Sequence, residues 1–205
     1  GSGFYIDAVC NGLDDFPPAD LELRESLVRR LGDEGVESLR LDLKRLDPES
    51  YDTIDIANGQ RVVRALEVCL MTGRKFSSFK TASVRKRGFA IEKIGLMRPR
   101  EELYERIDRR VVQMIDDGLV DEVKSLLPYR EYAALQTVGY KEIFAYLDHC
   151  AGKEYKPPVS GQHKNDGPVT TLDRAVELIQ RNTRHFAKRQ MSYWRRDRSI
   201  RWISV

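Results

Sequence analysis

A chain of 205 residues, 41% of them hydrophobic, is long enough to bury a core, as one large domain or two small ones. A mean hydropathy of −0.51 and 33% charged residues, with no apolar run near the roughly 20 residues that span a bilayer, exclude a membrane-spanning chain. Leu, Ile, Val and aromatics recur along nearly the whole length, which excludes disorder. The first residues, Gly1-Ser2-Gly3-Phe4-Tyr5, lack the basic and apolar blocks of a signal peptide. Cys10, Cys69 and Cys150 are odd in number, widely spaced and free of any CxxC pair, so reduced thiols and a cytoplasmic setting are expected. His149 beside Cys150 offers no metal pair, because neighbours on a helix point in different directions. No metal ligands are expected in this chain.

Pro17-Pro18 followed by Ala19-Asp20-Leu21 reads as a stop and a helix start, and Leu23, Val28 and Leu31 carry that helix to Gly32. Val36, Leu39, Leu43 and Leu46 repeat helical spacing over Asp33 to Leu46. Asn58-Gly59 opens a third helix that Gly73 closes, with Val62, Leu66, Cys69 and Leu70 on one side and Gln60, Arg64 and Glu67 elsewhere. Residues near 18 to 80 therefore form a small helical unit. The period then changes. Residues 90–97 read as a strand, Pro99 begins a helix with Leu103, Ile107, Val111, Met114 and Ile115 as its stripe, and Asp117-Gly118 stops it. A shorter helix runs from Val120 to Leu127. Residues 152–170 hold much of the chain's Pro and Gly without a hydrophobic period, and read as a surface loop.

In the last helix Leu172, Val176, Ile179, Thr183, Phe186, Gln190 and Tyr193 share one side, and Arg174, Arg181, Arg184, Lys188 and Arg195 the opposite one. From Arg174 to Arg201 nine Lys or Arg face only Glu177 and Asp197. An ordinary solvated face is the plainer reading. The shortage of acids and the cluster Tyr193-Trp194-Arg195-Arg196 favour a helix that binds a polyanion such as single-stranded RNA.

Residues 1–5, 58–73, 100–123, and 138–141 with 187–195 are four separated stretches that, read in order, resemble the tRNA dimethylallyltransferase family, also called tRNA isopentenyltransferases. Gly1-Ser2-Gly3-Phe4-Tyr5 is similar to the family's G-G-[TS]-x-x-Y turn, without its first Gly. Residues 58–68 (NGQRVVRALEV) are similar to N-D-x-Q-R-x-x-R-A-L-E-V and are followed by Thr72-Gly73. The third stretch is Arg100 to Ile107, continuing through Met114 and Gly118 to Glu122-Val123. The fourth is Val138-Gly139-Tyr140-Lys141, then Ala187-Lys188-Arg189-Gln190 with Trp194-Arg195. Ala57 and Gly59 depart from the family's Pro and acidic residue, one residue is missing there, and the 152–170 segment is long. No G-x-x-x-x-G-K-[ST] loop of the kind that begins the family occurs in the sequence.

The resemblance implies transfer of a dimethylallyl group from dimethylallyl diphosphate to N6 of the adenine next to the anticodon, with Mg²⁺ in the intact, monomeric enzyme. It implies that the phosphate cradle, the general base and the metal ligands lie outside this chain, which alone is expected to be inactive. The expected architecture is mostly α. A remnant of a P-loop α/β core, with few parallel strands, takes residues 1–23 and 89–205, and a helical tRNA-binding insertion takes 24–88. Residues 94–97 and 201–204 are the expected strands, and their edges are expected to seek partners.

By resemblance Ser2 places a hydroxyl near the adenine and Arg100 grips the diphosphate. Arg100 opens a helix after a strand, where a cation is unfavourable unless an anion is near. The implied contacts to the tRNA anticodon stem-loop are Arg24, the run Gln60, Arg61, Val62, Val63 and Arg64, and the turn Gln136, Thr137, Val138, Gly139, Tyr140 and Lys141. On the last helix they are Lys188, Arg189, Gln190, Trp194 and Arg195, joined from the basic face by Arg181 and Arg184. Tyr140 and Trp194 either stack on RNA or pack in the core. Two alternatives stand beside this reading: an adenylate isopentenyltransferase acting on a free nucleotide, and a non-enzymatic RNA-binding module.

Overall fold

The computed structural model describes residues 3–80, 87–154 and 167–205. The chain divides into two compact units, one of residues 6–88 and one of residues 1–5 with 89–205. The first helix, α1 (Gly3–Asn11), contains the dividing point.

In the first unit α2 (Leu21–Glu34) and α3 (Val36–Leu46) pack on α5 (Gly59–Thr72), and α4 (Pro48–Thr53) packs on α3. Capping side chains set where these helices begin. Asp20 accepts from the Leu23 amide at 3.1 Å, Asp47 from Ser50, and Asn58 from Arg61. The stop expected at Gly32 does not occur there. The helix continues to Glu34, and Gly35, at φ +77°, makes the left-handed turn that a side chain would disfavour. Leu27, Leu31, Leu39, Leu43, Val62, Val63 and Leu66 form the core. α5 is wrapped so fully that Glu67, on the side expected to face away, is also buried.

Residues 6–23, assigned from the sequence to the core domain, pack with this helical unit. Phe16 stacks on Phe76 at 4.8 Å, Arg64 donates to the Pro17 carbonyl, and the Asp20 amide donates to Glu67. These local contacts draw the segment to α5.

The second unit holds β1 (Ile94–Met97), α6 (Arg100–Asp116), α7 (Leu119–Ser125), α8 (Tyr140–Cys150), α9 (Leu172–Trp194) and β2 (Arg201–Ser204). β1 and β2 pair in parallel with Ile94 opposite Arg201 and Met97 opposite Ser204. Only the last four residues of the 90–97 segment are strand, because β2 supplies partners only there. Val111, Val123, Ile143, Phe144, Ala175 and Ile179 form the core between α6, α7, α8 and α9. The chain is thus mostly helical with a small parallel sheet, and among the described residues no helix is long and apolar enough to cross a membrane. Part of the 152–170 segment, residues 155–166, lies outside the described residues.

A cationic groove at the strand ends

β1 ends at Met97, and α6 starts three residues later at Arg100. Pro99, at the cap position, provides no side-chain acceptor, so the first-turn amides of α6 lack intrahelical partners and the positive end of the helix dipole is open. α9 runs alongside α6. Between them, at the carboxyl ends of both strands, lies a groove of about 550 Å³. Its floor is apolar, with Leu96, Leu103, Ala187, Met191 and Val205. Its charged side chains are Arg98, Arg100, Lys188 and Arg195, and no Asp or Glu side chain lines it. Four cations over an apolar floor, at a helix N-terminus and at strand carboxyl ends, make a receptor for an anionic group on an apolar tail.

Arg100 is exposed and lies over the Tyr104 ring at 5.0 Å, a contact that restrains the guanidinium without neutralising it. Arg184 lies over the same ring at 5.9 Å and is ion-paired with Asp108 of α6. Arg98 is ion-paired with Glu102. Arg98 was not singled out from the sequence, although Arg98-Pro99-Arg100 directly after a strand is the signal that could have found it. Ser2 lies outside the described residues. The neighbouring Gly3 meets the end of α9, where an added Cβ would sit 2.7 Å from the Tyr193 ring, so a larger residue there would have to displace that ring. Trp194 is half-buried and packs edge-on against Tyr193, with ring centroids 5.1 Å apart.

Several candidates are engaged in holding the fold. Val62 and Val63 are buried in the core, so their side chains cannot touch RNA; the 3.6-residue period turns them inward while Gln60 and Arg61 stay exposed. Arg24 and Arg64 both serve Glu67. Arg24 donates through Nε at 3.1 Å and a terminal nitrogen at 2.7 Å, and Arg64 lies 3.0 Å from the same carboxylate. Burial opposes ionisation of Glu67, but Arg24, Arg64 and the Asp20 amide outweigh it and hold the carboxyl below its ordinary range.

In the 136–141 turn, the buried Gly139 gives its amide to Glu142 at 2.8 Å instead of presenting it to a ligand. Glu142 in turn accepts from Asn182 of α9 at 2.7 Å, which ties the turn to the helix. Tyr140 packs against the core and hydrogen-bonds Glu122, and that hydrogen bond raises the phenol's pKa. Val138 packs there too, and Gln136 donates to the Arg130 carbonyl. Thr137 is exposed and Lys141 half-buried.

On α9 the buried residues are Ala175, Leu178, Ile179 and Asn182, a face rotated from the one expected. Contact with both α6 and α8 draws small and polar residues inward. Arg181, half-buried, reaches Asn182, and Arg184 has its acid on α6, so the basic face is not as free of acids as α9 alone suggests. Lys188, Arg189 and Arg195 are exposed, and Gln190 is half-buried. The groove thus gathers Arg100, Lys188 and Arg195 of the expected residues. Arg24 and Gln60–Arg64 belong to the other unit.

The chain is 45% identical over 203 residues to a tRNA dimethylallyltransferase of Bacteroides thetaiotaomicron, covering 99% of this chain and 60% of that protein. Among solved structures it is similar to the full-length tRNA isopentenylpyrophosphate transferase of Bacillus halodurans, at 32% identity and a TM-score of 0.53, over 100% of this chain and 58% of that one. A eukaryotic dimethylallyltransferase acting on tRNA shares the fold at a TM-score of 0.66 and 20% identity, over 99% of this chain and 49% of that one. The chain therefore spans about 60% of the length of the curated relative it matches. The model of the IPP transferase family matches residues 1–197, and with the strand-end groove and these relatives it shows that the chain belongs to that family.

Proposed function

We propose that this chain is the substrate-gripping part of an enzyme that transfers a dimethylallyl group from dimethylallyl diphosphate to N6 of the adenine adjacent to the anticodon in tRNA. The observation that carries this reading is the groove of four cations and an apolar floor. In the transfer, the N6 lone pair bonds to the allylic carbon while the carbon–oxygen bond to diphosphate breaks, and N6 gives up a proton to a base. Negative charge gathers on the leaving diphosphate. Fixed cations placed there stabilise the transition state more than the ground state. Arg100 suits this role because its forked donors match phosphate oxygens and stay charged. Its stacking on Tyr104 limits the freedom lost on binding. Leu103 and Met191 give the five-carbon tail an apolar wall.

The target adenine is turned out of its stack before reaction, at a cost of about a few kcal/mol. The role given to Ser2, a hydroxyl near that base, rests on the family resemblance alone. Gln60, Arg61, Thr137 and Lys141, with Lys188, Arg189, Gln190, Trp194 and Arg195, contact the anticodon stem-loop. The Mg²⁺ implied by family resemblance does not fit this groove: its lining has no Asp or Glu side chain, and no group of three metal-binding side chains occurs among the described residues. The family resemblance assigns the Mg²⁺ ligands, the general base and the rest of the phosphate cradle to the share of the relatives' length that this chain does not span. The enzyme acts in the cytoplasm as a monomer.

Arg100→Ala, made in a protein carrying the full length of its relatives, tests the reading. Transfer should fall about 100-fold or more, as for loss of one transition-state donor, while tRNA affinity changes less than about twofold. If tRNA binding collapsed and the diphosphate kinetics stayed normal, Arg100 would belong to the RNA contact. Prenylation of free AMP with tRNA inert would transfer the proposal to the nucleotide-modifying enzymes.

A further inference from the structure

The most basic stretch of the sequence is neither in the groove nor on α9. Between Arg74 and Arg87 there are six Lys or Arg and no Asp or Glu, although the whole chain nets only +3. The described part begins where α5 ends at Gly73 and continues through a short 3₁₀ turn, Phe76–Phe79. Asp47 anchors that turn: it accepts from the Ser77 amide at 2.7 Å and from the Ser77 hydroxyl at 2.9 Å. The turn presents Phe76 and Phe79, and Phe16 joins them, with centroids 4.8 Å from Phe76 and 5.8 Å from Phe79. Arg74 lies on the Phe79 ring at 4.5 Å and Lys80 on the Phe76 ring at 5.1 Å. Arg74, Lys75 and Lys80 are exposed, and among the described residues no carboxylate pairs with any of them.

The cluster of Phe16, Phe79 and Arg74 suits one kind of partner. A guanidinium seated over a ring is restrained there by the cation–π attraction, and it offers a planar, charged surface on which a nucleobase stacks. Flanking ammonium groups then meet the phosphates on either side. We infer that Arg74, supported by Phe79, is a stacking platform for an unpaired base of the bound tRNA, with Lys75 and Lys80 contacting the adjoining phosphates. This rests on the reading that the chain handles tRNA, and it adds a contact on the helical unit that neither the groove nor α9 supplies.

The test is fluorescence anisotropy of the 205-residue chain with a labelled anticodon stem-loop at several salt concentrations, with circular dichroism to confirm folding. Arg74→Lys keeps the charge and removes the plane. It should weaken stem-loop binding about tenfold with the salt slope unchanged, and weaken binding to a loop-free duplex of the same stem much less. Lys75→Ala with Lys80→Ala should instead flatten the slope of log affinity against log salt by about 1.4, at 0.7 per single-strand phosphate. If the unchanged chain bound the stem-loop and all these variants matched it, the platform would be refuted and the tRNA reading would stand. If the unchanged chain bound no RNA, both would fall. If the lysine pair mattered only for vesicles of phosphatidylcholine and phosphatidylserine, the surface would be a membrane contact and the inference would be wrong.

Discussion

The two units treat their central elements in opposite ways. In the helical unit of residues 6–88, α5 is enclosed: Val62, Val63, Ala65, Leu66, Val68 and Cys69 are buried, and even its carboxylate, Glu67, is covered and paired. In the other unit no residue of either strand is buried. Ile94 is 50% and Leu96 65% exposed, though parallel strands are normally covered on both faces. The closed unit derives stability from its central element. The open one leaves the strand ends and the α6 N-terminus accessible, and there the cationic groove forms.

The largest expected break in this contrast is Glu67→Ala. Arg24 and Arg64 would then face a buried site with no counter-charge, which costs about 3–5 kcal/mol. Urea unfolding monitored by circular dichroism measures it, and a loss below about 1 kcal/mol would show that the buried ion cluster contributes little to this unit.

A single kind of substitution placed in both units sharpens the comparison. Leu66→Ala, in the closed core, should cost about 2–5 kcal/mol. Leu96→Ala, on the uncovered strand, should change the stability of this chain by less than about 0.5 kcal/mol. Equal losses in thermal or urea unfolding would mean that β1 is as well packed as α5.

A more modest effect than those in the closed core is expected at the junction that holds the strands together. Lys93 donates to Asp197 at 2.6 Å, and with Ser199 this lowers the Asp197 carboxyl from its ordinary value to about 2. A depressed acid pKa stabilises the fold above the unfolded value of 3.8, and that contribution is lost as pH falls through the window from about 4 to about 2. Asp197→Asn should therefore cost about 1–2 kcal/mol at pH 7 and nothing further below about pH 2, the pair being partly exposed. Asp47 and Glu67 are also held below their ordinary values, since their donors outweigh the burial that opposes ionisation. The helical unit should lose stability over the same acidic direction, and a stability flat from pH 7 to pH 2 would remove both assignments.

Local chemistry was legible wherever a backbone group needs a particular neighbour. Asn58 capping α5, Gly73 ending it, and Pro99 ahead of α6 all act within a few residues of the chain. The strand within 90–97 was legible because a short apolar run bounded by charge and proline does not extend, while 201–204 was expected from the family resemblance. Four ordered motifs marked the family, since each combines residue types at spacings that chance seldom repeats together.

Long-range pairing was not legible, because it depends on which surfaces the fold brings face to face. The sequence shows Glu67 as a polar residue off the apolar stripe of its helix; only packing with α2 and the Pro17–Asp20 segment turns it into a buried acceptor. It shows Arg184 on a basic face, and only α6 against α9 supplies Asp108. Arg98, Arg100, Lys188 and Arg195 are separated by up to 97 positions along the chain (195 − 98), and only the parallel pairing of β1 with β2 and the packing of α6 on α9 gather them around one groove. The sequence by itself determined α2, α3, α5, α6, α7 and α9, the two strands and the family, because caps, periods and motifs are properties of neighbouring residues; α1, α4 and α8 were not read from it. Tertiary structure alone decided which charges are neutralised in place and which remain open to an anionic substrate, because charge pairing is a property of distance in space.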